Sequence, residues 1–161
     1  MTDPYAWHDN FAIGHPTIVM PALLRWAWSA YGEAMRKALA RAGCDDIPPN
    51  GMFVIGGLGM GAGDVPLSGL VKQLKVSKQA AGQLVDTLVL RGYLKREPDE
   101  EDRRRFTIRL TERGWHAAAV QREAREKLDA ELSARVGADA VASARKTLAA
   151  LIEIGNQSGR D

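Results

Sequence analysis

Two groups of side chains in this sequence have the types and spacing to make directional contacts with a nucleic acid. Ser77, Lys78, Gln79 and Gln83 stand close together, with Gln79 and Gln83 one helical turn apart, so a helix would present both amides on one face. A glutamine amide can pair with the N6 and N7 edge of an adenine, while Lys and Ser can meet phosphates or bases. Farther along, Arg103, Arg104 and Arg105 are consecutive, and arginine suits a phosphate or a narrow minor groove. No grouping of nucleophile, base and acid suggests catalysis, so an enzyme is not expected.

For these side chains to converge, the chain around them must form two helices and a hairpin. Leu67 to Leu74 predicts a short helix with Leu67, Leu70, Val71 and Leu74 on one face. Val76 and Ser77 interrupt it, and the Ser77 hydroxyl can cap a second helix running to Arg91. Ala81, Leu84, Val85, Leu88 and Val89 point inward in that helix, and Gly92 is its stop. Leu94 to Glu97 and Phe106 to Leu110 read as strands; in the second, Phe106, Ile108 and Leu110 alternate with Thr107 and Arg109. Residues 98–104 between them form a charged tip. Helix, turn, helix and hairpin in that order make a winged helix-turn-helix, whose second helix fits the major groove while the hairpin reaches backbone or minor groove.

The flanks are helical. Residues 1–17 show no period and read as an N-terminal arm. Pro21 to Ala42 is an amphipathic helix with Pro near its start and Gly43 beyond its end. Met52 to Leu58 is a short apolar run leading into a glycine-rich link that ends near Asp64. Thr111 can cap a long helix whose stripe Val120, Ala124, Leu128, Leu132 and Val136 stops at Gly137. Asp139 can cap a last helix carrying Val141, Ala144, Leu148, Leu151 and Ile152. The expected fold is mainly α with a small two- or three-stranded antiparallel wing. It divides into an arm (1–17), a dimerisation helix (18–46), a winged helix-turn-helix (47–110) and C-terminal dimerisation helices (111–161). The last two helices have little domain to pack against, and a partner's helices are their natural cover.

Charge supports the same segment. The 161 residues carry 22 basic and 20 acidic side chains, a net of +2 that by itself argues against a nucleic-acid partner. Residues 65–114 nevertheless hold 11 Lys or Arg and 7 Asp or Glu, a net of +4, leaving −2 on the remainder. Within 72–96 the sole acidic residue is Asp86.

At this point the sequence resembles the MarR family of bacterial transcription regulators. The resemblance lies in Leu70 to Gln79, Leu84 to Leu94, the wing Pro98 to Arg104, and Leu110-Thr111-Glu112-Arg113-Gly114. Asp102, Arg104, Leu110, Thr111 and Gly114 match the family's Asp-x-Arg and Leu-Thr-x-x-Gly patterns in register. The resemblance implies a homodimer built from the first and last helices, bound to a palindromic operator in double-stranded DNA and often relieved by a small-molecule effector. Half-sites would lie roughly 34–36 Å apart. It also implies that Asp102 pairs with Arg104 to shape the wing tip, and that Arg104 enters or borders the minor groove.

Several features admit plainer readings. Gly57-x-Gly59-x-x-Ala62 is a version of the dinucleotide fingerprint, which needs a strand before it and a helix opening at the glycines. Gly63, Asp64 and Pro66 follow too soon and no βαβ alternation surrounds it, so it reads as a helix end and loop, and no cofactor is expected. Trp26, Trp28, Tyr31 and Trp115 read as core or dimer contacts, or as the lining of a pocket for an aromatic effector. Cys44 is the single cysteine; its acidic neighbours Asp45 and Asp46 argue for a helix-end residue over an oxidation sensor. His8, His15 and His116 lack a metal-binding spacing. Gly82 lies inside the second helix, where glycine is worse than alanine by about 1 kcal/mol; it either admits a close neighbour or is a local weakness. Met1 to Asn10 has no Lys or Arg and no apolar stretch, and Ile47 to Gly63 is uncharged but broken by Pro and Gly. A cytoplasmic protein with no membrane partner is therefore expected. Two rival functions remain: a winged-helix module that binds protein instead of DNA, and a nucleotide-dependent enzyme.

Overall fold

The computed structural model describes residues 18–66, 68–70, 76–98 and 106–158. Its elements are α1 (Met20–Arg41), α2 (Gly51–Gly59), β1 (Asp64–Pro66), α3 (Lys78–Leu90), β2 (Leu94–Pro98), β3 (Phe106–Leu110), α4 (Glu112–Val136) and α5 (Ala138–Ser158). Residues 68–70 are also helical, and the rest of the helix expected over Leu67–Leu74 lies outside the described residues. The chain divides into two units, Met1–Glu33 and Ala34–Asp161, with the boundary inside α1.

In the second unit the core gathers Leu39 from α1, Val54, Ile55 and Leu58 from α2, Val85 and Leu88 from α3, and Tyr93, Leu94, Ile108 and Leu110 around the sheet. These are the apolar positions that helical and alternating periods select. Ala81, Val85 and Leu88 are fully buried along α3, as their spacing predicts. The helix stops are physical too. Gly92 adopts φ +76°, which lets Tyr93 N–H donate to Leu88 O at 2.9 Å and Gly92 N–H to Val89 O at 2.9 Å. Gly43 does the same at the end of α1, turning Cys44 into the core with Cys44 N–H on Leu39 O at 2.8 Å.

The sheet is antiparallel with order β1-β3-β2. Pairing runs Leu94 with Leu110 to Pro98 with Phe106 on one side of β3, and Asp64 with Arg109 to Pro66 with Thr107 on the other. β1 occupies what reads in sequence as the end of a glycine-rich link. Three residues ending in proline are too few to show a period, and proline is tolerated there because the strand is at an edge. Phe106 shares its face with Ile108 and Leu110 but lies at the distal end of the hairpin, and it is exposed.

α2 begins at the apolar run and continues through the glycines to Gly59, farther than the helix end and loop expected there. The glycines serve packing against α4. A Cβ at Gly59 would lie 2.5 Å from the Ala118 Cβ, and one at Gly56 would lie 3.0 Å from Gln121 Oε1. Glycines three apart on one helix thus face small or flexible residues three apart on the other, and the backbones come close. An apolar helix, where a dinucleotide site needs a strand, leaves the glycine fingerprint without its structural setting.

α4 has two different halves. Gly114, Ala117, Ala118, Gln121 and Ala124 bury the first half. In the second half Leu132 and Val136 are exposed, and along α5 so are Leu148, Leu151, Ile152 and Ile154. Among the described residues no helix is long and apolar enough to cross a membrane.

Candidate nucleic-acid interface

α3 opens at Ser77, whose backbone is extended (φ −62°, ψ 154°) and whose hydroxyl accepts Ala80 N–H at 3.1 Å. The cap satisfies one of the orphan donors of the first turn and leaves others facing outward. Lys78, Gln79 and Gln83 are all exposed, so the two amides share an open face one turn apart. Thr87 Oγ1 donates to Gln83 O at 2.9 Å, inside the helix and away from the Gln83 side chain. Gly82 lies on the same face, and a Cβ there would meet nothing within 4 Å. Among the described residues, then, no neighbouring helix approaches this position. Arg103, Arg104, Arg105 and Asp102 lie outside the described residues.

The charges of the sheet and α3 are mostly paired. Asp86 on α3 holds Arg96 Nη2 of β2 at 2.6 Å, so the single acid of residues 72–96 does not stand alone on the helix. On the wing, Glu97 takes Lys95 Nζ at 2.6 Å and Arg109 Nε at 2.8 Å, the latter an ion pair without hydrogen-bond alignment. Arg109 also lies 3.5 Å from Asp64 across β1. The Lys95 ammonium, more than Arg109 behind it, holds the Glu97 carboxyl below the usual range. Formal net charge therefore overstates how many cations the sheet turns outward.

The C-terminal end of α3 meets the start of α4 in a joint that sequence reading did not single out. Tyr93 OH donates to Asp46 Oδ1 at 2.5 Å, and Arg113 Nη2 donates to the same oxygen at 3.0 Å. The Arg113 guanidinium stacks 4.3 Å from the Tyr93 ring centroid, and its other terminal nitrogen donates to Arg91 O at 2.6 Å. Arg91 in turn donates to the Asp46 carbonyl. The Tyr93 hydroxyl, with Arg113 adding to it, holds the Asp46 carboxyl below its usual range against the opposing effect of partial burial. Burial first, then the Asp46 contact, pushes the Tyr93 hydroxyl well above the usual phenol range.

The segment Leu110 to Gly114 has visible duties in this joint. Leu110 is buried, and Thr111 caps α4 by accepting Gly114 N–H at 3.1 Å while its hydroxyl donates to Gly92 O at 2.5 Å. Thr111 N–H reaches Tyr93 O at 3.1 Å. Gly114 has no room for a side chain, because a Cβ would overlap that same Tyr93 carbonyl oxygen. The signal available in sequence was the Leu-Thr-x-x-Gly motif itself; its partner Asp46 is 47 residues from Tyr93 and carries no local pattern.

The aromatic candidates are placed separately. Trp26 and Trp28 are exposed on the first unit, where Trp26 borders a shallow depression with Pro21, Ala22, Arg25 and Ser29; Tyr31 is half-buried. In the second unit the Trp115 ring lies against Gly63, and 43% of that residue is exposed. A groove of about 500 Å³ runs between the end of α1 and the middle of α4, floored by Ala38, Val120 and Ala124 and edged by Arg41, Glu123 and Lys127. Cys44 is 3% exposed, a core residue at a helix end. Among the described residues no three His, Cys, Asp or Glu side chains are grouped to hold a metal ion.

Comparison with known proteins follows the same outline. A model of the MarR family matches residues 45–105. No curated protein matches the sequence significantly. Among solved structures, the reduced form of MarR from E. coli is similar, with 23% identity, 83% of this chain and 96% of that chain covered, and a TM-score of 0.66. FabT of Streptococcus pneumoniae in complex with DNA gives 21% identity over 85% of this chain and 97% of that chain, with a TM-score of 0.69. A mutant E. coli MarR complexed with operator DNA gives 23% identity, coverage of 81% and 91%, and a TM-score of 0.65. A MarR family model thus matches the central part of the chain, residues 45–105, and the fold of these solved structures is shared along most of its length.

Proposed function

We propose that this protein is a DNA-binding transcriptional repressor that grips a palindromic operator as a homodimer and has no catalytic activity of its own. The observation that carries the reading is α3: a capped helix that spends Ala81, Leu84, Val85, Leu88 and Val89 on the core and whose open face offers Lys78, Gln79 and Gln83. A helix of this kind places amide and ammonium groups against base edges and phosphates when it enters a major groove. The wing adds Arg103, Arg104 and Arg105, with Asp102 ordering the tip. Two of the similar structures, FabT and the MarR mutant, are DNA complexes, which adds support.

Dimerisation is supported by the uncovered apolar side chains Leu148, Leu151, Ile152 and Ile154 of α5, which a monomer would leave in water. Residues 18–46 and 111–161 would supply that interface, and residues 47–110 the reader. The groove between α1 and α4 is the candidate seat for a small effector. Its apolar floor and Arg41 and Lys127 edge suit a small aromatic acid. Trp26, Trp28, Tyr31 and Trp115, none of which lines that groove, remain separately proposed as ligand contacts. A cytoplasmic location fits this role.

Selection of genomic fragments by the purified protein at moderate salt, followed by sequencing, tests the proposal. Enrichment of a palindrome with half-sites one helical turn apart is expected. Absence of any enriched sequence would sink it in favour of a winged-helix module for protein partners. Replacing Arg104 with Ala should lower the slope of log affinity against log salt by about one, the signature of one lost phosphate or groove contact.

A further inference from the structure

Among the described residues nothing requires Gly82 to be a glycine. Its backbone is not among the left-handed positions, unlike Gly43, Gly63, Gly92 and Gly137. No described residue crowds it, unlike Gly56 and Gly59, which α4 presses upon. It lies in the interior of α3, where glycine weakens a helix, and one turn away on the open face stand Lys78, Gln79 and Asp86, with Gln83 adjacent. The acid among these neighbours is already held by Arg96, so the surroundings do not repel a phosphate backbone as a bare carboxylate would.

A helix with its side chains measures roughly 10–12 Å across, and the major groove is about 12 Å wide. The fit is close enough that one methyl group on the reading face can hold the helix away from the base edges. We propose that Gly82 is the point where α3 comes closest to DNA, its missing side chain leaving a notch beside Gln79 and Gln83 that receives the edge of a base pair. Gly82 thereby determines specificity without making a hydrogen bond of its own: it sets how deep the two amides reach. The inference rests on the DNA-binding function proposed above.

The test pairs Gly82→Ala with Gly57→Ala. Gly57 is also inside a helix with nothing within 4 Å of an added Cβ, but it lies on α2, away from the reading face. Both substitutions should raise the thermal midpoint by about 2–4 °C, since alanine is the better helix former. Gly82→Ala should bind the selected operator about tenfold or more weakly, the scale of one lost base-edge contact. Its affinity for unrelated duplex should stay unchanged, and Gly57→Ala should match the parent on both. Operator affinity of Gly82→Ala equal to the parent's would overturn the notch while leaving the DNA-binding function standing. A parent protein that selects no sequence would overturn both.

Discussion

The two ends of α3 are built on opposite principles. At its C-terminal end a positive-φ glycine, two carbonyl-bound turns, the Tyr93–Asp46–Arg113 cluster and the Thr111 cap converge within a few residues. At its N-terminal end, among the described residues, the Ser77 cap holds the first turn, and beyond it Lys78, Gln79 and Gln83 are exposed. The difference teaches where a reading helix can vary: it is anchored from behind, so that its front is free to carry chemistry. Substitutions behind should therefore register as lost stability, and substitutions in front as lost selectivity.

The largest effect is expected behind. Gly114→Ala forces a methyl group into the Tyr93 carbonyl, backbone against backbone, and should cost about 3 kcal/mol or more of stability. Chemical denaturation should show a lower midpoint with an unchanged slope; a midpoint equal to the parent's would mean that the joint yields. Asp46→Asn comes next, with a loss of about 1–2 kcal/mol at neutral pH, in keeping with a half-exposed, charge-assisted contact. Its pH dependence has a definite sign. The folded carboxyl titrates below its unfolded value, so the stabilisation is complete above about pH 4 and disappears as pH falls through the lower folded value. Stability curves of parent and variant should therefore be separated at neutral pH and converge in acid. Curves that stay parallel would show that the Asp46 charge is not what Tyr93 and Arg113 recognise.

This contrast also explains which features were legible in the sequence. The front of α3 was readable because a cap, an apolar stripe and polar residues between them are all local patterns, and β3 was readable through its alternation. The joint was not, since Asp46 looks like any loop acid until Tyr93 and Arg113 are brought to it. The buried half of α4 was obscured for another reason. Gly114, Ala117, Ala118 and Ala124 carry weak apolar signal, and Gln121 carries the wrong one, so the stronger stripe through Leu128 and Leu132 drew attention toward the exposed end. Likewise the α2 glycines imitate a nucleotide loop by composition, whereas the work of Gly56 and Gly59 is to let α4 approach. The wing arginines belong to the resembling motif and lie outside the described residues.

A smaller effect, of opposite sign, is expected under α2. Gln121 is 2% exposed and its Nε2 has no hydrogen-bond partner among the described residues. Gln121→Met keeps the length of the side chain and removes the stranded donor, so stability should rise by about 1 kcal/mol. A loss would mean that the amide is satisfied through a buried water.

The contrast between the two ends is tested most directly by the double variant Gln79→Ala, Gln83→Ala, compared with the parent for affinity to the selected operator and to a scrambled duplex at one salt concentration. The account predicts that the ratio of the two affinities falls at least tenfold while the thermal midpoint and the affinity for scrambled DNA stay where they were. An undiminished ratio, or one that falls only together with the thermal midpoint, would contradict it.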